Sequence, residues 1–282
     1  MKNSKTFILK TIHDRKSVRS YDNEPINPKI LDELIQYTKD HSTGPFGNTT
    51  TFKIVDAQEF DPTSLKALGT YGIIRGAKQF LVGIIAPGKM AMEDFGYSME
   101  EAILKATSLG LGTCWLGGFL NRSTFSDLCK ISDNEVIPSV TPIGYLAKRT
   151  TLRDKMIRKA VNANNRTAFD LLFFSDDFTT PLNFDESNLF HQLLECVRIG
   201  PSASNKQPWR MVLSSKTLHL YLDEDLPYNH KYEPIFIQNI DMGIAMAHVS
   251  LAAEELGLSG KWTNVKAAPE HNKFQYIASW VS

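Results

Sequence analysis

The sequence predicts an α+β protein built from two related halves in one chain, the first spanning residues 1–165 and the second 166–282. An internal repeat is the first reason. An offset of 156 carries Pro25, Gly44 and Pro45 to Pro181, Gly200 and Pro201, and after one inserted residue an offset of 157 carries Asn48, Phe52 and Val55 to Asn205, Trp209 and Val212. A second block matches at offset 147 with nine identities over residues 94–115, among them Asp94 with Asp241, Gly96 with Gly243, and Trp115 with Trp262. Both blocks keep the same order, so the matches describe duplication rather than coincidence. The second reason is that each half alternates helical and extended patterns in the same succession.

In the first half, Asn27 followed by Pro28 is an N-cap with proline in the first helical turn, and Ile30, Leu31, Leu34, Ile35 and Tyr37 form an apolar face that ends near His41. Phe52 to Val55 and Gln79 to Ile85 read as strands from their apolar content. Glu93 to Leu109 reads as a helix stopped by Gly110, and Cys114 to Leu116 and Val140 to Leu146 are further strand candidates. The second half repeats the pattern with helices over Leu189 to Ile199 and Ile240 to Leu256, and strands over Trp209 to Leu213, His219 to Leu222 and Tyr276 to Val281.

Composition narrows the class of function. The chain has 282 residues, 42% of them hydrophobic, and its 31 Lys+Arg balance 31 Asp+Glu, so no basic excess points to nucleic acid. The opening MKNSKTFILKTIH has too short an apolar run for a signal-peptide core, and FLVGIIAP is too short to span a bilayer; a cytoplasmic protein without membrane partners is the expectation. Cys114, Cys129 and Cys196 form no CxxC pair or even framework and are expected to be buried thiols. No HExxH, GxSxG elbow or P-loop is present, and no histidine spacing suggests a metal. His13 is expected at a helix end rather than as a general base.

Three stretches carry chemistry. Arg15-Lys16-Ser17-Val18-Arg19 places three cations and a hydroxyl within five residues, which suits a phosphate or a polar ring edge, or equally a solvated charged turn. In GLGTCWLGGF, residues 110–119, a helix precedes the glycines and a strand follows, the reverse of a dinucleotide-binding loop. Gly117 and Gly118 there fit either a tight turn or the close approach of a planar ligand to exposed peptide N–H groups. In GPSASNKQPWRMV, from residue 200, Ser202, Ser204, Asn205 and Gln207 offer hydroxyls and amides while Trp209 opens a strand; a surface turn and a ligand cover are both consistent with it.

Together, RKSVR with the following SYDNEPI, the PSASNKQPWRMV loop, GLGTCWLGGF after a long helix, and VTPIGYLAKR resemble the FMN-dependent nitroreductase family over most of the chain. The resemblance implies a nitroreductase-like α+β fold, FMN as cofactor, NAD(P)H as hydride donor and a nitroaromatic or quinone as acceptor. Members of the family typically build the FMN site between two subunits. Here the first, third and fourth motifs lie in the first half and the second motif in the second half, which implies an intramolecular pseudo-dimer, monomeric in solution. By resemblance, Arg15, Lys16, Ser17 and Arg19 bind the phosphate, ribityl chain and pyrimidine edge, and Lys148 or Arg149 adds charge at the phosphate, Arg153 being a third candidate. The backbone at Leu116, Gly117 and Gly118 meets the flavin near N5, Tyr71 lies close to the ring, and Pro201, Ser202, Ala203 and Asn205 cover the cofactor. No side chain is assigned as an obligatory proton donor. The second half lacks an RKSVR equivalent, and Asn264-Val265 stand where the first half has Gly117-Gly118, so its own site is expected to be degenerate. A flavin-binding or storage protein without turnover is the alternative, and a dehalogenating or oxidising flavoenzyme of the same fold is a more distant one.

Overall fold

The computed structural model describes residues 8–57, 74–118, 121–148 and 165–282. The first half opens with α1 (Ile8–Asp14) and α2 (Pro28–Asp40). The Asn27 side chain caps α2 by accepting from the Lys29 N–H at 3.0 Å, and the helix closes with His41 N–H on the Tyr37 carbonyl. Strands β1 (Thr51–Asp56) and β2 (Gln79–Ile84) pair antiparallel, followed by α3 (Ala91–Ser108), α4 (Arg122–Cys129) and β3 (Val140–Ile143), which completes a three-stranded sheet in the order β1-β2-β3.

The second half contributes β4 (Phe173–Ser175), α5 (Leu189–Arg198), β5 (Trp209–Ser214), β6 (Thr217–Leu222), the single turn α6 (Leu226–Asn229), α7 (Ile237–Glu255), β7 (Lys261–Thr263) and β8 (Gln275–Val281). Its sheet runs β4-β5-β6-β8-β7, all antiparallel except the β4–β5 pair. Every segment expected as a regular helix or strand forms, except two extended pieces. Cys114 to Leu116 pairs only through the single bridge of Leu116 with Val140, just after Thr113 bridges Ser17, and β3 stops at Ile143 before Gly144 and Leu146 make isolated bridges of their own.

The sheets are joined through α3 and α7, which cross at a pair of glycines in their N-terminal halves. A Cβ on Gly96 would lie 2.1 Å from the Ile240 carbonyl oxygen, and one on Gly243 2.0 Å from the Glu93 carbonyl oxygen. These are backbone neighbours that cannot swing aside, so only two glycines allow the helices to approach this closely. Most of α7 is buried, with only its C-terminal Glu254 and Glu255 exposed. Met242, Ala245, Met246 and Val249 pack with Trp209, Leu218, Leu220 and Trp280 of the second sheet, while Ile237, Ile240 and Ile244 pack with Phe95, Met99 and Ile103 of α3. A third cluster, with Phe80, Val82, Phe125 and Val140, fills the space between the first sheet and α4. The three cysteines are free and buried, as expected. Among the described residues no helix is long and apolar enough to cross a membrane.

Candidate functional site

A cavity of about 660 Å3 lies where the two sets of motifs converge. Arg15, Lys16, Ser17 and Arg19 form one wall, Leu116, Gly117 and Gly118 a second, and Pro201, Ser202, Ala203 and Asn205 a third; Ile237, Ile240, Asp241 and Ile244 of α7 contribute from below. Eleven of the residues singled out from sequence are thus brought together from segments almost 200 positions apart. Lys148 is exposed and does not line the cavity. Tyr71, Arg149 and Arg153 lie outside the described residues. His13 occupies the last turn of α1, at the cavity edge, as its helix-end reading anticipated.

The first wall is set by α1 ending at Asp14, after which the chain runs extended. Val18 N–H donates to the Thr113 carbonyl at 2.7 Å and Arg75 N–H to the Arg19 carbonyl at 2.8 Å, so the cationic ribbon is held between two other segments. Gly112 is required beside it, since a Cβ there would meet Val18 side-chain atoms at 2.9–3.0 Å. The Arg15 side chain is only 6% exposed, and its Nε sits 3.8 Å from Glu100 Oε1 without a hydrogen-bond partner. Glu100, fully buried, accepts from Trp115 Nε1 at 2.7 Å and contacts His248 Nε2 at 3.0 Å, while His248 Nδ1 donates to the Cys196 carbonyl at 2.7 Å. Because a carbonyl can only accept, Nδ1 carries a proton, and the Nε2 to Oε1 contact then needs one more proton shared between imidazole and carboxyl. A buried polar chain therefore runs from α7 through α3 to the back of Arg15.

The second wall ends on Gly117 and Gly118, whose carbonyls are engaged away from the cavity. The Arg122 guanidinium donates to the Gly117 carbonyl, and the Tyr232 hydroxyl of the second half donates to Gly118 at 3.0 Å. Arg122 also lies 5.0 Å over the Tyr232 ring, tying the two halves together at this corner.

The third wall is a loop laced to itself. Ser204, Asn205 and Gln207 all adopt left-handed backbone conformations, with φ of 50°, 56° and 51°. Gln207 N–H donates to Ser202 Oγ at 2.9 Å, and its buried side chain accepts from Thr167 N–H at 2.9 Å. Trp209, fully buried, then anchors the loop at the start of β5. The polar run ends against an indole because the same few residues must face the cavity and enter the core.

Arg166 is a site residue that the motifs did not reveal. It lines the cavity, donates to Asn205 Oδ1 at 2.6 Å and to the Ile199 carbonyl at 3.1 Å, and so holds Asn205 in place. Burial, then repulsion from Arg15 and Arg198, lowers its pKa to about 10, so it remains a cation at neutral pH. A lone arginine in NNRTAF carries no local signal; only the fold brings it opposite Arg15.

A family model described as "Putative TM nitroreductase" matches residues 7–253 of the chain. The FMN reductase (NAD(P)H) of Bacillus subtilis is 23% identical to it over 239 residues, covering 76% of this chain and 92% of that protein. The crystal structure of a Thermotoga maritima protein described as a "putative nitroreductase" superposes with a TM-score of 0.59 at 17% identity, covering 97% of this chain and 93% of that one, which shows a shared fold.

Proposed function

The chain belongs to this nitroreductase family, and from that premise we propose that it is an FMN-dependent NAD(P)H oxidoreductase whose single flavin site is assembled from both halves. The observation carrying the proposal is the cavity itself, which unites the RKSVR ribbon and the glycine pair of the first half with the PSASN loop of the second. Its residues fit the group. The volume lies within the range of about 300–1,000 Å3 usual for such ligands. Isoleucines of α7 offer an apolar surface for a ring, and Arg15, Lys16, Arg19 and Arg166 offer positive charge for a phosphate and a polar ring edge.

Bound FMN would supply the hydride chemistry, between NAD(P)H and a nitroaromatic or quinone-like acceptor. The chain's own part is positioning and electrostatics. Arg15, Ser17 and Arg19 would hold the polar edge of the cofactor, and their positive field would favour added negative charge on it. Arg166 fixes Asn205 so that the loop covers the ligand, and the engaged carbonyls of Gly117 and Gly118 keep that wall rigid.

In this reading the chain is an intramolecular pseudo-dimer, with halves meeting near residue 165. The α3–α7 crossing at Gly96 and Gly243, matched in the repeat, supports it, as do the related β1-β2-β3 and β5-β6-β8 arrangements. The second half's own site is proposed to be lost. The loop at Gly44 to Asn48 is closed by hydrogen bonds to Asp94, Phe46 packs against the core, and the buried Phe173 belongs to the segment that replaces a second RKSVR. Purified protein should therefore bind one equivalent of FMN per chain and sediment near its mass of 31.7 kDa. Two equivalents released on heating would refute the single site. Anaerobic NADH or NADPH should bleach the flavin, and menadione should restore its colour. Bleaching by dithionite alone would favour a flavin-binding protein without turnover.

The cross-half cover gives a second expected result. Asn205→Ala removes the acceptor that Arg166 engages at 2.6 Å and the donor that reaches the Asn165 carbonyl at 2.9 Å. FMN affinity should fall about threefold to tenfold, in line with about 1 kcal/mol per hydrogen bond, and the quenching of bound-flavin fluorescence should weaken. Unchanged affinity and fluorescence would remove the loop from the site.

A further inference from the structure

Asp94 and Asp241, matched at the 147-residue offset, each hold the loop packed over their helix. Asp94 accepts from Phe46 N–H at 3.0 Å on Oδ1, and on Oδ2 from the Asn48 backbone at 2.9 Å and side-chain amide at 2.8 Å. Asp241 accepts from Ala203 N–H at 2.9 Å on Oδ1, but its Oδ2 is buried without a hydrogen-bond partner. The asparagine that corresponds to Asn48 is Asn205, and it is diverted, accepting from Arg166 and donating to the Asn165 carbonyl. One loop satisfies its aspartate completely, whereas the other leaves half of it unmet.

That unmet oxygen belongs to a residue 2% exposed that lines the cavity. Native folds rarely leave a buried polar atom unpaired, and one that faces a cavity calls for a partner there, whether water, ion or ligand. Burial also pushes the Asp241 carboxyl well above the ordinary carboxylate range, opposed by the Ala203 N–H bond. A proton on this carboxyl would reside on Oδ2, since Oδ1 is taken as the acceptor for Ala203 N–H.

We infer that Asp241 donates a hydrogen bond from Oδ2 to an acceptor lone pair, a carbonyl oxygen or ring nitrogen, on the conjugated ligand held in the cavity. The inference rests on the flavin reading above and assigns a contact made by the floor of the site, from a residue that no sequence motif marked. Two ligands share this chemistry: the flavin itself, and a quinone or nitroaromatic bound over it.

Difference infrared spectroscopy of the full chain tests the assignment. Adding FMN to the apoprotein, or menadione to the oxidised FMN-loaded protein, should shift a protonated-carboxyl C=O band to lower frequency, and Asp241→Asn should lack that band. A shift with FMN assigns the contact to the flavin, and a shift only with menadione assigns it to the acceptor. Titrations supply the second readout. Asp241→Asn, which keeps both the acceptor for Ala203 and a donor toward the cavity, should bind the assigned ligand within about twofold of wild type, and Asp241→Leu about tenfold more weakly. Equal loss in both variants would overturn the donor role. FMN and menadione binding with no carboxyl band shifted would overturn the contact while leaving the flavin reading intact. Failure to bind FMN at all would remove both.

Discussion

Gly243→Val should be the most damaging single substitution in the chain. The added carbons would lie where the Glu93 carbonyl oxygen now stands 2.0 Å from a Cβ position, with Tyr97 N at 2.7 Å, so α3 and α7 would have to separate. Overpacking a tight contact costs about 1–3 kcal/mol and occasionally more, and a contact of backbone with backbone belongs at the upper end. At about 2–4 °C per kcal/mol, the thermal midpoint should drop by roughly 6–12 °C, provided the variant accumulates folded. The loss should extend to the cofactor, because Ile240, Asp241 and Ile244 lie within a turn of Gly243 and floor the cavity. Gly96→Ala, with its Cβ 2.1 Å from the Ile240 carbonyl oxygen, should show the same pair of effects in milder form. Circular dichroism melting together with a flavin titration checks both, and a Gly243→Val protein with wild-type midpoint and affinity would contradict the crossing.

Arg15→Ala should cost the flavin site at least tenfold in affinity, because a charge-assisted hydrogen bond is worth about 1.5–3 kcal/mol. A second effect accompanies it. The Arg15 guanidinium covers Glu100 from the cavity side, so its removal leaves the Glu100–His248 pair facing a widened, wetter space. Arg15→Lys should recover little, since an ammonium lacks the flat fork that can face Glu100 and a ligand together. Equilibrium FMN titration, compared between the two variants, is the measurement. Wild-type affinity in Arg15→Ala would remove the cationic ribbon from the site.

Much of this architecture could be read without coordinates, because it rests on local signals. Helix α2 has its Asn-Pro cap, β1 and β2 have short apolar runs, and the long helices have matched stops at Gly110 and Gly257. Some short elements carried no readable signal. Helices α1 and α4 and strands β4 and β7 are eight residues or fewer, and each is held by packing or pairing to distant partners, as β4 is by its parallel register with β5. The site divides along the same line. Arg15 to Arg19, Leu116 to Gly118 and the PSASN loop belong to contiguous motifs that the sequence singles out, whereas Arg166 and Asp241 reach the same cavity only through where the chain returns in space. Asp241 was visible as one member of a repeated pair. What distinguishes it from Asp94 is an unmet second oxygen, because the Asn205 side chain turns to Arg166 and its backbone N–H to the Ser202 carbonyl.

Every described wall of the cavity comes from the same polypeptide. A ligand seat divided between separate subunits inherits their association constant, so dilution empties it. Here the RKSVR ribbon and the PSASN loop cannot drift apart, and their effective concentration is set by the covalent chain rather than by how much protein is present. On the proposed flavin reading, with one chain forming the whole seat, occupancy should follow the concentration of free FMN alone, and holding it saturated in nanomolar protein should require no more FMN than in micromolar protein.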